Sequence, residues 1–315
     1  MVYPYSGGSG TLQKRFLEIT FAYAAVSANT GNPTAQSGLA GHTTNNLLTV
    51  TGPRASANIS HAGGAANFAA DLRLYGLTQQ HMAQLTMSDG YISVSKGNTV
   101  TIAAGIVGAT PSIIYSGNIN SAVPDYSAAP DVFFQVESSG PLPIAVTTLA
   151  PTSYPGTTDV ATAMASLANQ VGATFQNGNV QVHISNPYLW GSPLSQIRQL
   201  AEMANINFVY DCSTSPATLA IWPIGGSRPG APIVVSPDTG LVGYPKLQPL
   251  GVEFTMLFNP SVKIGSIIAL TSSIKPATGN WEVASVSHIL ESETPGGAWF
   301  TKVTAVKIGL VVRTS

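Results

Sequence analysis

Glu291 and Glu293 stand two positions apart at the end of an apolar stretch, and paired carboxylates are the first place to look for hydrolytic chemistry. Two carboxyl groups held ~5–9 Å apart across a sugar can cleave a glycosidic bond. Here the pair runs directly into Pro295, so a polar turn is the simpler reading. Asp71 and Asp131 have no acidic neighbour in sequence. Five histidines, His42, His61, His81, His183 and His288, show no i, i+2 or i, i+4 spacing, so no local metal site is encoded, although distant residues could still assemble one. Gly225-Gly226-Ser227-Arg228-Pro229-Gly230 is glycine-rich but opens no helix, and a phosphate cradle needs a helix N-terminus behind it. The nucleophile elbow G-x-S-x-G, the G-x-x-x-x-G-K-[ST] loop, the H-E-x-x-H helix and an Asp-rich calcium loop are all missing. Trp190, Trp222, Trp281 and Trp299 could stack on sugar rings, but their spread along the chain fits core and interface anchors better. No catalytic, cofactor-binding or metal-binding residue is expected, and no cofactor.

The elements that carry these residues are mostly short strands. Leu17, Ile19, Phe21 and Tyr23 alternate with polar or small residues, as do Phe68, Ala70, Leu72 and Leu74, the period of a half-buried strand. Weak strands are expected around Gly52-Pro53 between Leu48 and Ile59, and further ones at Tyr91–Ser95, Val100–Ala104, Ile113–Tyr115 and Val132–Val136. Thr78 can cap a short helix from Gln79 to Leu85. Residues 27–46 are Gly, Ser, Thr and Asn with almost no apolar content, which predicts a long exposed loop or a disordered insertion. Residues 141–155, rich in Pro, Thr and Ser, read as a linker.

The middle of the chain changes period. Val160, Met164, Leu167, Ala168 and Val171 fall on one helical face closed by Gly172. Ser192 caps a second helix with Pro193 in its first turn, and Asn205 ends it. Strands are expected at Val180–Ile184, Phe208–Tyr210 and Leu219–Trp222, which makes a compact α+β unit. After a linker near Ser227–Pro232, strands return at Val252–Met256, Ile264–Leu270, Trp281–Val283, Val286–Leu290 and Trp299–Val306, broken by Asn259-Pro260, Gly279-Asn280 and Pro295-Gly296-Gly297. The predicted fold class is mainly β with an α+β insertion: two small β-barrel domains plus a middle α+β domain. The boundaries are 1–145 for an N-terminal barrel-like domain, 150–226 for the α+β domain and 236–315 for the C-terminal barrel.

Composition narrows the partners. The chain has 315 residues and a formal net charge of −1, so no global field favours nucleic acid or an anionic membrane. Charged residues make up 9%, far below the ~25% usual in soluble domains. A surface of uncharged polar residues loses little on burial against another subunit, which fits a permanent assembly. Compositional drift explains it equally well. One cysteine, Cys212, excludes an internal disulfide framework. No signal peptide and no membrane-length apolar run is apparent, so folding in a cytoplasm and no membrane insertion are expected.

The stretch Phe258-Asn259-Pro260, then Lys263-Ile264-Gly265, Gly279-Asn280-Trp281-Glu282-Val283 and Pro295-Gly296-Gly297-Ala298-Trp299-Phe300 resembles the C-terminal barrel of the central hub proteins of contractile phage tail baseplates. The segments SYPGTTDV…LANQVG and WGSPLSQIRQLAEMANINFVYD are similar to the domain that this family inserts between its barrels. GPRASANISHAGGAANFAADLRLYGLTQQHMAQLT is similar to its first domain. The resemblance implies a structural role and no enzymatic one. Three copies would form a ring that adapts a sixfold tail tube to a threefold central spike, with tube proteins, a spike trimer and other baseplate proteins as partners. It implies a place in the virion, synthesis in the host bacterium, and no recognition of nucleic-acid sequence, although the genome passes through the lumen. Trp281, Trp299, Phe258, Asn259, Pro260 and Gly265 are the expected structural or interface residues. A peptidoglycan-degrading tail enzyme and a carbohydrate-binding tail adhesin are the alternatives.

Overall fold

The computed structural model describes residues 13–22, 41–44, 47–63, 68–86, 98–127, 129–140 and 142–308. The first third holds β1 (Arg15–Ala22), β2 (Gly41–Thr44), β3 (Leu47–Thr51), β4 (Ala55–Ala62), β5 (Ala69–Tyr75), α1 (Gln79–Leu85), β6 (Thr99–Ile106), β7 (Ser112–Asp125) and β8 (Phe133–Ser139). The middle holds α2 (Leu142–Val146), β9 (Thr152–Ser153), β10 (Thr157–Asp159), α3 (Val160–Gln170), β11 (Thr174–Asn177), β12 (His183–Ser185), β13 (Tyr188–Leu189), α4 (Pro193–Ala204), β14 (Ile206–Asp211) and β15 (Thr218–Pro223). The last third holds β16 (Ile233–Val235), β17 (Leu241–Gln248), β18 (Gly251–Leu257), β19 (Ile267–Leu270), β20 (Gly279–Ser292) and β21 (Trp299–Lys307).

The chain is mainly β, with helices concentrated in the middle. The two expected barrels are replaced by one sheet. The order β17-β18-β21-β20-β4-β5-β8-β7-β6-β1-β3-β2 is continuous, with β16 and β19 attached beside β20, and no closed barrel forms among the described residues. The physical reason is the ladder between β4 and β20, which pairs Ala55 to Ala62 with Ser292 to Ser285. Each strand satisfies backbone groups of the other that a free sheet edge would leave open. Each outer third is organised around a 14-residue strand, β7 or β20. Each of these carries a bulge, at Ile119/Ser121 in β7 and at Val283/Ser285 in β20. Trp281–Val283 and Val286–Leu290, expected as separate strands, are one strand bent at that bulge.

Alternation sorts the faces of the sheet. Leu17, Ile19 and Phe21, with Ala57, Ile59, Leu72, Leu74, Phe134 and Val136, point into one buried cluster. Val252, Phe254, Met256, Val286, Val303 and Ala305 form a second. A third, in the middle unit, packs α3 and α4 on the sheet β11-β15-β14 through Val160, Met164, Leu167, Ile197 and Leu200. The helix caps are those the sequence encodes: Thr78, Ser192 and the left-handed Asn205. Asp159 caps α3, with its carboxylate accepting from the Thr162 amide at 3.0 Å.

Three other expectations change. Of the loop 27–46, Gly41–Thr44 is β2, paired to β3, because backbone pairing at a sheet edge needs no apolar alternation. Residues 27–40, 45 and 46 lie outside the described residues, as does the strand expected at Tyr91–Ser95. The linker 141–155 contains α2 and β9, and Ile144 is buried in the middle core. The short strands β11, β16 and β17 were not expected at all. No helix among the described residues is long and apolar enough to cross a membrane.

Candidate functional site

The expected site residues do not converge on one centre. Phe258, Asn259, Pro260 and Gly265 occupy the loop between β18 and β19. Asn259 shapes that loop: its amide donates to Thr301 Oγ1 at 3.1 Å and its side-chain oxygen accepts from the Ser261 amide at 2.9 Å. Pro260 continues the same turn. Phe258 lies edge-on to Trp299, with centroids 5.6 Å apart, and edge-on to His288 at 5.4 Å. Trp299 is buried in the cluster of the N-terminal strands, with the Arg15 guanidinium of β1 6.0 Å from its ring centre. Trp281 packs instead on the C-terminal cluster, and its indole N–H donates to the Ala277 carbonyl at 2.8 Å. The two tryptophans therefore serve different cores.

Gly265 opens onto a buried polar junction that sequence reasoning missed. Its φ is +80°, and a Cβ there would lie 2.7 Å from the Trp222 ring and 2.9 Å from Arg228 Cγ. Its amide donates to Val283 O and its carbonyl accepts from the Arg228 amide, each at 2.8 Å. Arg228 Nη1 donates to Asp211 Oδ2 at 2.9 Å, while Nε and Nη2 donate to Gln176 Oε1 at 3.0 and 2.9 Å. Lys263 Nζ lies 3.8 Å from the same Asp211 oxygen. Burial alone would push the Asp211 carboxyl up; Arg228, Lys263 and the Ser213 hydroxyl outweigh it and hold it below the usual carboxylate range. Trp222 Nε1 donates to Glu282 Oε1 at 2.8 Å, and burial pushes the Glu282 carboxyl up, partly offset by that bond. β11, β14 and β15 of the middle unit are thus pinned to β20 and the β18–β19 loop. The available signal was the charge pattern. In a chain with 9% charged residues, Asp211 after Phe208-Val209-Tyr210 and Glu282 between Trp281 and Val283 interrupt apolar strands.

The carboxylate pair is engaged separately. Glu291 Oε2 accepts from the Ala298 amide at 3.0 Å, and Glu293 pairs with Lys14 at 2.7 Å. No group of three or more His, Cys, Asp or Glu side chains that could hold a metal ion occurs among the described residues.

The face of the large sheet away from the cores is largely polar, with Ile289, Phe300 and Leu257 as an apolar patch across β20, β21 and β18. Thr255, Lys302, Ser287 and Ser60 stand opposite one another across β18, β21, β20 and β4. Asn58, Asp71, Glu137 and Ser121 do the same across β4, β5, β8 and β7.

The family model of the baseplate hub gp41 matches residues 49–296, which include the middle unit and most strands of both outer sets. The chain belongs to this family. Membership gives the baseplate hub chain a structural role in a phage tail. No curated protein matches the sequence. Solved structures share the fold at low identity. The 43 kDa tail protein of prophage MuSo2 from Shewanella oneidensis has a TM-score of 0.56 and 11% identity, covering 92% of this chain and 96% of that one. The tail protein from Neisseria meningitidis MC58 has a TM-score of 0.57 and 9% identity, covering 92% and 97%. The E. coli c3393 protein is a component of the type VI secretion system with structural similarity to T4 bacteriophage tail proteins gp27 and gp5. It has a TM-score of 0.51 and 9% identity, covering 81% and 73%.

Proposed function

We propose that three copies of this baseplate hub chain form a ring at the centre of the baseplate, between a sixfold tail tube and a threefold spike. The observation that carries the proposal is the two-sided sheet: one face closes over cores, while the other carries polar rows across β18, β21, β20 and β4 and across β4, β5, β8 and β7, the second row continuing into an apolar patch of Ile289, Phe300 and Leu257. A channel wall needs such a face, wet on one side and rigid on the other. The outer thirds, each built on one bulged 14-residue strand, present two comparable halves per copy, so three copies offer six positions to a tube. The middle unit, corresponding to residues 150–226, lies between the halves in sequence and is locked to the C-terminal half by the Asp211–Arg228 junction. Residues 1–145 and 236–315 supply the two halves, and the proposed setting is the virion, with tube, spike and other baseplate proteins as neighbours.

Native mass spectrometry of the chain, alone and with its tube and spike partners, tests the reading. A trimer under either condition is expected; monomer under both contradicts it.

One observation favours an additional contact. Tyr188 and Trp190 are 59% and 61% exposed while Leu189 between them is buried, so two aromatic rings project from the middle unit together. Gln199 clamps the Trp190 backbone from both sides, donating to its carbonyl at 2.9 Å and accepting from its amide at 3.4 Å. This is the place where a sugar-binding adhesin would act. Loss of cell-surface polysaccharide binding on Trp190→Ala, with the trimer intact, would establish it.

A further inference from the structure

The ladder between β4 and β20 is the one strand pairing that joins the N-terminal and C-terminal strand sets among the described residues. On its buried side two histidines sit diagonally across it, His61 opposite Val286 and His288 opposite Ile59. They are 4% and 2% exposed, and their rings meet edge to face with centroids 5.7 Å apart. Phe68 covers His61 at 4.4 Å and Phe258 covers His288 at 5.4 Å. His288 Nδ1 shares a hydrogen bond with Thr301 Oγ1 at 3.0 Å, whereas His61 Nε2 is buried with no partner. Of the charged groups facing the pair, Asp211 of β14 favours a proton on His61 and Lys263 of the β18–β19 loop opposes it. Arg228 already neutralises Asp211 at 2.9 Å. The contacts that β5 and β21 make with the pair carry no charge. Two like charges here would be buried 5.7 Å apart, with the nearby carboxylate already paired to Arg228.

We propose that the β4–β20 seam is a proton-sensitive latch: charging the buried His61–His288 pair opens the ladder that joins the two halves of the sheet. Burial holds His61 at about 4. Burial, and then the neighbouring His61, holds His288 at about 3. Both lie below the ordinary value of 6.5. The sign follows from linkage. Between pH ~6.5 and ~3 the opened seam takes up protons that the closed seam refuses, so closure weakens as pH falls through that window and changes little below it. At pH 5 ordinary carboxylates, with unperturbed values of about 4, remain mostly ionised, which separates the latch from general acid unfolding.

Hydrogen exchange on the full chain at pH 7.5 and pH 5 tests the latch. Corrected for the intrinsic pH dependence of exchange, protection of the Ile59 and His288 amides, which face each other across the seam, is expected to drop up to about a thousandfold, roughly thirtyfold per histidine. The β18–β21 ladder should keep its protection. In a His61→Phe, His288→Gln double variant the seam should become pH-independent, and His183→Gln, at an exposed position, should behave as the parent. Seam protection unchanged at pH 5, or lost equally in the β18–β21 ladder, overturns the proposal without recourse to any variant. A pH response that survives in a folded double variant does so too.

Discussion

Arg228 shows what a single side chain does in a protein with so few charges. It is almost fully buried, its guanidinium hydrogens are spread over Asp211, Gln176 and the Ile264 carbonyl, and its backbone holds Gly265. Arg228→Ala leaves Asp211 buried with Lys263, at 3.8 Å, as the nearby cation and the Ser213 amide and hydroxyl as donors. Removing one partner of a buried pair costs about 3–5 kcal/mol. Thermal unfolding should show a loss of that order, reduced by whatever Lys263 recovers. Arg228→Lys should lose much of it as well, because an ammonium cannot reach Gln176 and Asp211 in one plane. The Asp211 carboxyl is held low in the folded chain, so its contribution is present above the unfolded value of 3.8 and disappears as pH falls through the folded value. Gly265→Ala combines a left-handed backbone with a Cβ 2.7 Å from the Trp222 ring. It is expected to cost about 1–3 kcal/mol from the backbone alone, and more if Trp222 has to shift away from Glu282. Differential scanning calorimetry on Gly265→Ala checks this. Among these residues the sequence exposed only Gly265. Arg228 stood in a glycine-rich segment that resembled a linker, and its partners are 17 and 52 positions away, a separation that local patterning does not carry.

Strand and helix identity were legible where burial is one-sided. β1, β5, β18 and β21 bury alternate residues, and that alternation is written in their apolar spacing. Capping chemistry located α1 and α4. β17 was not legible because it is a sheet edge: of its eight residues only Leu241 and Pro245 are buried, and Gly243-Tyr244-Pro245 interrupts the pairing with β18. β20 was read as two strands because its bulge at Val283/Ser285 shifts the alternation by one, which from sequence looks like an end. The partner of β4 was hidden for a different reason. Nothing in either strand names the other, and the pairing spans more than two hundred positions. Trp281 and Trp299 separate these elements experimentally. Truncating a buried tryptophan such as Trp299 typically costs about 3–5 kcal/mol, and the half-buried Trp281 should cost less. Trp299→Ala should loosen β1 and the N-terminal cluster through Arg15 and Phe258, whereas Trp281→Ala should loosen β19 and the short helical turn at Ala277. Site-resolved hydrogen exchange reads the two patterns. Identical patterns would show that the two cores unfold as one.

At the scale of the molecule, the low charge content becomes intelligible. The charged side chains that remain are placed in buried pairs such as Asp211–Arg228, in surface pairs such as Lys302–Glu253 at 2.8 Å, or on the polar sheet face at Asp71 and Glu137. Asp71 and Glu137 stand directly opposite each other across β5 and β8, a like-charge pairing that slightly disfavours the sheet. Such a pair is tolerable on a face that stays wet, as a channel wall does, and costly on one packed against a subunit. Electron cryomicroscopy of the chain assembled with its tube and spike partners tests this most directly. The expected result is a threefold ring whose hole is lined by the face bearing Asn58, Asp71, Glu137, Ser287 and Lys302. A monomer, or a ring that buries this face against a neighbouring protein and turns another surface to the hole, would contradict it.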